Sequence, residues 1–138
     1  MSHSFPVRVY YEDTDLAGIV YYANYLKFIE RGRSEWVRGQ GVDQMALKEA
    51  EGIVFAVRRV EADYLSPARF GEELEVATRL LQIGGARIEL AQEVRRDGVT
   101  LFRALVTLVC MNAQGRPARL PGPVRARLSA VSAESGVG

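Results

Sequence analysis

Apolar residues alternate over 5–11, with Phe5, Val7, Val9 and Tyr11 on one side, and the alternation stops at the acidic run Glu12-Asp13-Thr14-Asp15. This predicts a first strand followed by a loop containing Gly18. From Asn24 the period changes: Tyr25, Phe28, Ile29, Gly32 and Trp36 fall three and four apart, while Lys27, Glu30, Arg31, Glu35 and Arg38 lie mostly off that stripe. The spacing predicts one long amphipathic helix, with Asn24 as N-cap and Gly39 and Gly41 as the stop. Gly32 on the buried stripe predicts that another element packs closely there, because glycine weakens a helix by ~1 kcal/mol relative to alanine. A short helical turn is expected over 45–50.

Strand patterns fill the rest of the core, over 53–64, 73–82, 87–95 and 99–111. Gly84-Gly85 and Asp97-Gly98 are expected to supply positive φ in hairpin turns, which makes these strands an antiparallel meander. The last strand is apolar on both faces: Phe102, Ala104, Val106, Leu108 and Cys110 on one, Leu101, Leu105, Val109 and Met111 on the other. Such a strand is central, and its second cover is expected from another subunit. Residues 113–138, with three prolines, read as a tail of uncertain order, above all from about 122. The expected packing lays the helix across a curved sheet of about five strands, an α+β architecture in one domain spanning 1–138.

Composition narrows the chemistry. The 138 residues are 48% hydrophobic and 25% charged, as in one globular domain. Eighteen Lys and Arg against seventeen Asp and Glu leave a net charge of +1, which argues against nucleic-acid binding through bulk charge. One cysteine, Cys110, forbids an intrachain disulfide, and one histidine, His3, leaves a Cys/His zinc site without ligands, so no metal is expected. His3 is also expected near a frayed terminus, away from catalysis. With no apolar run long enough for a spanning helix and no signal-peptide pattern at the start, the reading is a cytoplasmic, reduced protein.

The informative segment runs from Tyr11 to Tyr25 and sets two carboxylates and a glycine between a strand end and a helix start. The free N–H groups of a helix N-terminus suit a developing oxyanion, and a nearby aspartate suits a nucleophile or base. The same residues also make ordinary turns and caps. A calcium loop fails, because its position 5 would be Ala17 and its position 12 Asn24. An aspartate-nucleophile phosphatase needs a parallel sheet, and a Ser/His/Asp or Cys/His site would have to recruit His3.

The run YEDTDLAGIVYYANYLKFIERGRSEW resembles the signature of the hot-dog-fold acyl-CoA thioesterases of the 4-hydroxybenzoyl-CoA thioesterase type, most closely the bacterial group associated with the Tol-Pal system, and VRRVEADYLSPARFGEELEV matches the same group. The resemblance reaches about Pro121. It implies a hot-dog fold, one long helix wrapped by an antiparallel sheet, with Asp15 as the catalytic aspartate and the backbone amide of Tyr22 polarising the thioester carbonyl. Gly18, Ile19 and Val20 then admit the acyl group. That group often carries His where this chain has Tyr22, and a backbone donor survives the change.

Thioester hydrolysis suits a histidine-poor site, because the leaving thiol has a pKa of about 8.5 and needs little protonation. Asp15 either attacks the carbonyl or deprotonates water; residue pattern alone does not choose. Glu30 is a second carboxylate candidate but fits an exposed ion-paired face with Lys27, Arg33 or Ser34. Asp13 is expected in turn or cap duty. Tyr25 and its neighbours Tyr10, Tyr11, Tyr21 and Tyr22 are either core or acyl-channel wall. Arg58 and Arg59, with Arg69, are candidates for coenzyme A phosphates. The expected partners are an acyl-CoA substrate or an acyl carrier protein, and further copies of the chain in a homodimer or homotetramer. Coenzyme A enters only as part of substrate and product, with no other cofactor. The alternatives are a non-catalytic acyl-carrier or envelope-complex binding module, and an acyl-thioester hydratase dependent on His3.

Overall fold

The computed structural model describes residues 3–136. Strand β1 (His3–Arg8) leads through a 3-10 turn at Tyr11–Asp13 to helices α1 (Asn24–Gly39) and α2 (Gln44–Glu51). Strands β2 (Val54–Tyr64), β3 (Glu73–Ile83), β4 (Arg87–Arg96) and β5 (Val99–Met111) follow, and α3 (Gly122–Gly136) closes the described chain. The strands form one antiparallel sheet in the order β1-β3-β4-β5-β2. Strands β3, β4 and β5 make the expected meander, but β2 pairs with β5 at the far edge instead of with β3. With β2 there, both edges of the 13-residue β5 have their N–H and C=O groups paired, to β4 on one side and β2 on the other. On its outer face Leu101 is buried while Leu105 stays half exposed, so that cover is incomplete in one chain.

There is not one helix but three: α1 (16 residues) lies where the amphipathic stripe predicts it, α2 (8 residues) where a short turn was expected over 45–50, and α3 (15 residues) is additional. Helix α1 buries Tyr25, Phe28, Ile29, Gly32, Trp36 and Val37, the stripe its spacing predicts, against β1, β3 and β4. Gly32 is the point of closest approach, since a Cβ there would stand 2.9 Å from Val76 Cβ. The neighbour is thus a side chain of β3. Buried Gln92 fixes the helix further, donating from Nε2 to the Ile29 carbonyl and to Thr78 Oγ1 (both 2.9 Å) and accepting from Arg33 Nη1 (3.0 Å).

Four local expectations are corrected. Strand β1 ends at Arg8, because the Asp13 carboxylate accepts from the Tyr10 N–H (2.8 Å) and turns the chain out of the sheet. Asn24 is the first residue of α1, not its N-cap. Asp97 and Gly98 adopt positive φ (51° and 79°), but Gly84 and Gly85 do not; a bond from Gly84 N to Arg87 O (2.6 Å) turns that hairpin instead. His3 begins β1 opposite Thr78 instead of fraying.

The C-terminal segment is helical where a tail was expected. Val124 and Leu128 of α3 are buried, and Arg125 Nη2 donates to the Gly84 carbonyl (2.5 Å), so the helix docks on the sheet through an apolar stripe and the β3–β4 turn. Residues 137 and 138 of that predicted tail lie outside the described residues. Among the described residues, no helix is long and apolar enough to cross a membrane.

Candidate active site

The acidic segment after β1 folds into a compact loop whose two aspartates do different work. Asp13 holds the 3-10 turn through its side chain, as expected of a capping residue. Its carbonyl accepts twice, from Tyr21 N (2.9 Å) and from Asn24 Nδ2 (2.8 Å), which ties the start of the loop to the start of α1. Between these anchors Thr14 bridges Val20, and Asp15 N donates to the Ile19 carbonyl (3.0 Å). Gly18 N closes the tip on the Asp15 carbonyl (3.0 Å) with φ +79°, a conformation that favours glycine.

Asp15 is exposed at this tip. Its Oδ1 accepts from Ala17 N (2.9 Å), an Asx turn, and the other carboxylate oxygen has no partner among the described residues. Ile19 and Val20 run back along Ala68 and Arg69, with Val20 N donating to the Ala68 carbonyl (2.8 Å). Tyr22 follows in the turn two residues before α1. Its N–H meets no acceptor among the described residues, while its carbonyl accepts from Tyr64 Oη (3.0 Å).

Beside this helix start lies an open groove of about 310 Å³. Ile19 and Val20 of the loop, Tyr22 and Tyr25 of the helix start, and Tyr64, Leu65, Ser66 and Pro67 at the end of β2 line it, with no charged side chain. Tyr25 is 3% exposed; its ring stacks on Phe102 at 5.1 Å and its Oη accepts from Ala68 N (3.0 Å). Burial pushes its phenol up from the ordinary 10.0. Tyr25 is therefore core and groove wall at once.

The structure thus gathers Ile19, Val20, Tyr22 and Tyr25 around one groove and sets Asp15 and Gly18 on the adjoining loop tip. Arg58 and Arg59 stand apart, exposed on edge strand β2, with Arg59 paired to Glu61 (2.5 Å) and Arg58 at a bulge in the β2–β5 register. Arg69 is exposed opposite Ile19. Glu30 accepts from Ser34 Oγ (3.2 Å) on the exposed face of α1. His3 lies at the opposite end of β1, about 17 Å along the strand from Arg8, and does not line the groove. Sequence reasoning missed the groove residues after β2, although Tyr64-Leu65-Ser66-Pro67 sits inside the second matching run; the signal was the aromatic-to-proline turn that ends an alternating strand.

Residues 9–128 match the family model of the thioesterase-like superfamily. This chain belongs to that superfamily. Its members of similar sequence include the acyl-CoA thioesterase YbgC of Haemophilus influenzae, 39% identical over 89% of this chain and 91% of that one. The acyl-CoA thioester hydrolase YbgC of Escherichia coli is 40% identical over 84% of this chain and 87% of the relative. A probable thioesterase from Bartonella henselae superposes with a TM-score of 0.84 at 39% identity, covering 88% of this chain and all of that structure. In the thioesterase-like superfamily the five-stranded sheet with α1 against it is the hot-dog fold, and the loop described above falls inside the matched region.

Proposed function

We propose that this protein is an acyl-CoA thioesterase that hydrolyses R–CO–S–CoA to a carboxylate and free coenzyme A. One observation carries the reading: two hydrogen bonds accepted by the Asp13 carbonyl, from Tyr21 N and Asn24 Nδ2, hold the Asp15 loop against the start of α1, next to an uncharged groove and a Tyr22 N–H that no group among the described residues uses. The acyl chain lies in the groove with its carbonyl oxygen at the Tyr22 amide, where the helix N-terminus favours negative charge. The unpartnered oxygen of Asp15 either attacks the carbonyl carbon, giving an anhydride that water cleaves, or takes a proton from the attacking water. The thiolate leaves without a general acid. Arg58 and Arg59 meet the phosphates of coenzyme A from β2, the strand whose last residue borders the groove.

The test is release of free thiol from short, long and aromatic acyl-CoA esters and from acyl carrier protein conjugates. Turnover by the intact chain that Asp15→Asn lowers by at least ~100-fold is the expected result. Silence on every substrate removes the enzymatic reading in favour of an acyl-binding module. A hydratase would need a histidine at the reacting carbon, and His3 is not among the residues that line the groove.

A further inference from the structure

Tyr64 is the last residue of β2, half exposed, and the chemistry above makes no use of it. Its ring meets Tyr22 at 6.1 Å, Tyr25 at 5.6 Å and Phe102 at 5.0 Å, each nearly edge-on. Its hydroxyl donates to the Tyr22 carbonyl at 3.0 Å. Among the described residues no backbone N–H donates to that carbonyl: the turn bonds here run from Asn24 N to Tyr21 O (2.8 Å) and from Leu26 N to Ala23 O (3.2 Å). The backbone of Tyr22 is therefore held from two sides: Tyr21 N on the Asp13 carbonyl before it, and the Tyr64 phenol on the carbonyl after it. Between those two bonds projects the Tyr22 N–H.

We propose that Tyr64 is a positioning and selectivity residue of the acyl site: its hydroxyl fixes the Tyr22 backbone so that the N–H faces the groove, and its ring is the wall on which the acyl group packs. The inference rests on the thioesterase reading and deepens it. Displacing a reacting group by about 1 Å costs up to ~100-fold in rate, so a bond that holds the amide in register has a kinetic role without touching substrate. Tyr22, Tyr25 and Tyr64 make the wall aromatic and uncharged, which favours an uncharged aryl or other flat acyl group over a flexible alkyl chain, by about 0.5–1.5 kcal/mol or roughly 2- to 12-fold. Burial, and then the neighbouring Tyr22 and Tyr25, push the Tyr64 phenol up from the ordinary 10.0, so the proton needed for donation is kept through neutral and mildly alkaline pH.

Steady-state thiol release from benzoyl-CoA and butyryl-CoA by the full chain, Tyr64→Phe and Tyr64→Leu tests this. Tyr64→Phe keeps the ring and loses the bond; kcat is expected to fall about 3- to 10-fold on both substrates with KM and the thermal midpoint unchanged. Tyr64→Leu is expected to lose the same kcat and in addition to raise KM for benzoyl-CoA about 2- to 12-fold more than for butyryl-CoA. Wild-type kcat in Tyr64→Phe, or a lowered thermal midpoint with kcat intact, overturns the proposal while the thioesterase reading stands. A wild-type chain that cleaves neither ester, nor any other acyl thioester, overturns both.

Discussion

Asp15 serves the loop with one oxygen and leaves the other to solvent. That division makes Asp15→Asn a clean variant: the amide oxygen still accepts from Ala17 N, so the turn survives while the charge is lost. Its turnover is expected to fall by ~100-fold or more with an unchanged melting temperature, whereas Asp15→Ala loses the turn bond as well and melts earlier. The sequence narrows the chemistry to Asp13 and Asp15 but does not separate them by spacing; only the tertiary hydrogen bonds show Asp13 committed to Tyr10 N, Tyr21 N and Asn24 Nδ2. Tyr22 is legible in a different way. If its amide is what matters, its side chain is free to vary, and the ring stands 62% exposed.

At the scale of elements, Gly32 decides how closely α1 approaches β3. Gly32→Ala gains helix propensity of ~1 kcal/mol but drives a methyl into the Val76 side chain, whose Cβ no rotamer change can move. A net loss of about 1–2 kcal/mol in urea unfolding is expected, only partly relieved by pairing it with Val76→Ala, which removes the γ-methyl contact but keeps the Cβ at 2.9 Å. The loop after β2 depends on Glu72, which accepts from Arg69 N (2.7 Å) and from Arg96 Nη1 (2.8 Å). Burial alone would raise this carboxyl, but those two partners outweigh it and hold it below the ordinary 4.5. A depressed folded-state value means stabilisation that is complete above 4.5 and disappears as pH falls through the lower folded value. Glu72→Gln is therefore expected to cost about 0.5–1 kcal/mol at neutral pH, with its unfolding curve converging on wild type under acid conditions. Alternation placed β3 and β4 almost to the residue, because the two faces of each strand have distinct surroundings, and a continuous apolar run after the Asp97-Gly98 turn placed β5. The end of β1 was not legible, since a side chain five residues on from Arg8 sets it.

For the whole molecule, the open edge of β2 is the feature that a single chain leaves unresolved. It is an 11-residue edge strand with Val57, Val60 and Tyr64 exposed at 48%, 37% and 49%, the kind of edge that pairs with another strand. A homodimer joined along β2, alone or as half of a tetramer, is the expected assembly; light scattering should give the mass of two or four chains, and Val60→Lys should shift it to one with loss of thiol release. The order of apolar and polar residues by itself determined the strands of the meander, the buried stripe of α1 and the segment that carries the chemistry, because each depends on neighbours a few positions away. The far-edge placement of β2, the docking of α3 and the meeting of Tyr64 with Tyr22 were decided only by tertiary structure. Those contacts join residues dozens of positions apart, and their energy exists only once the sheet has closed around α1.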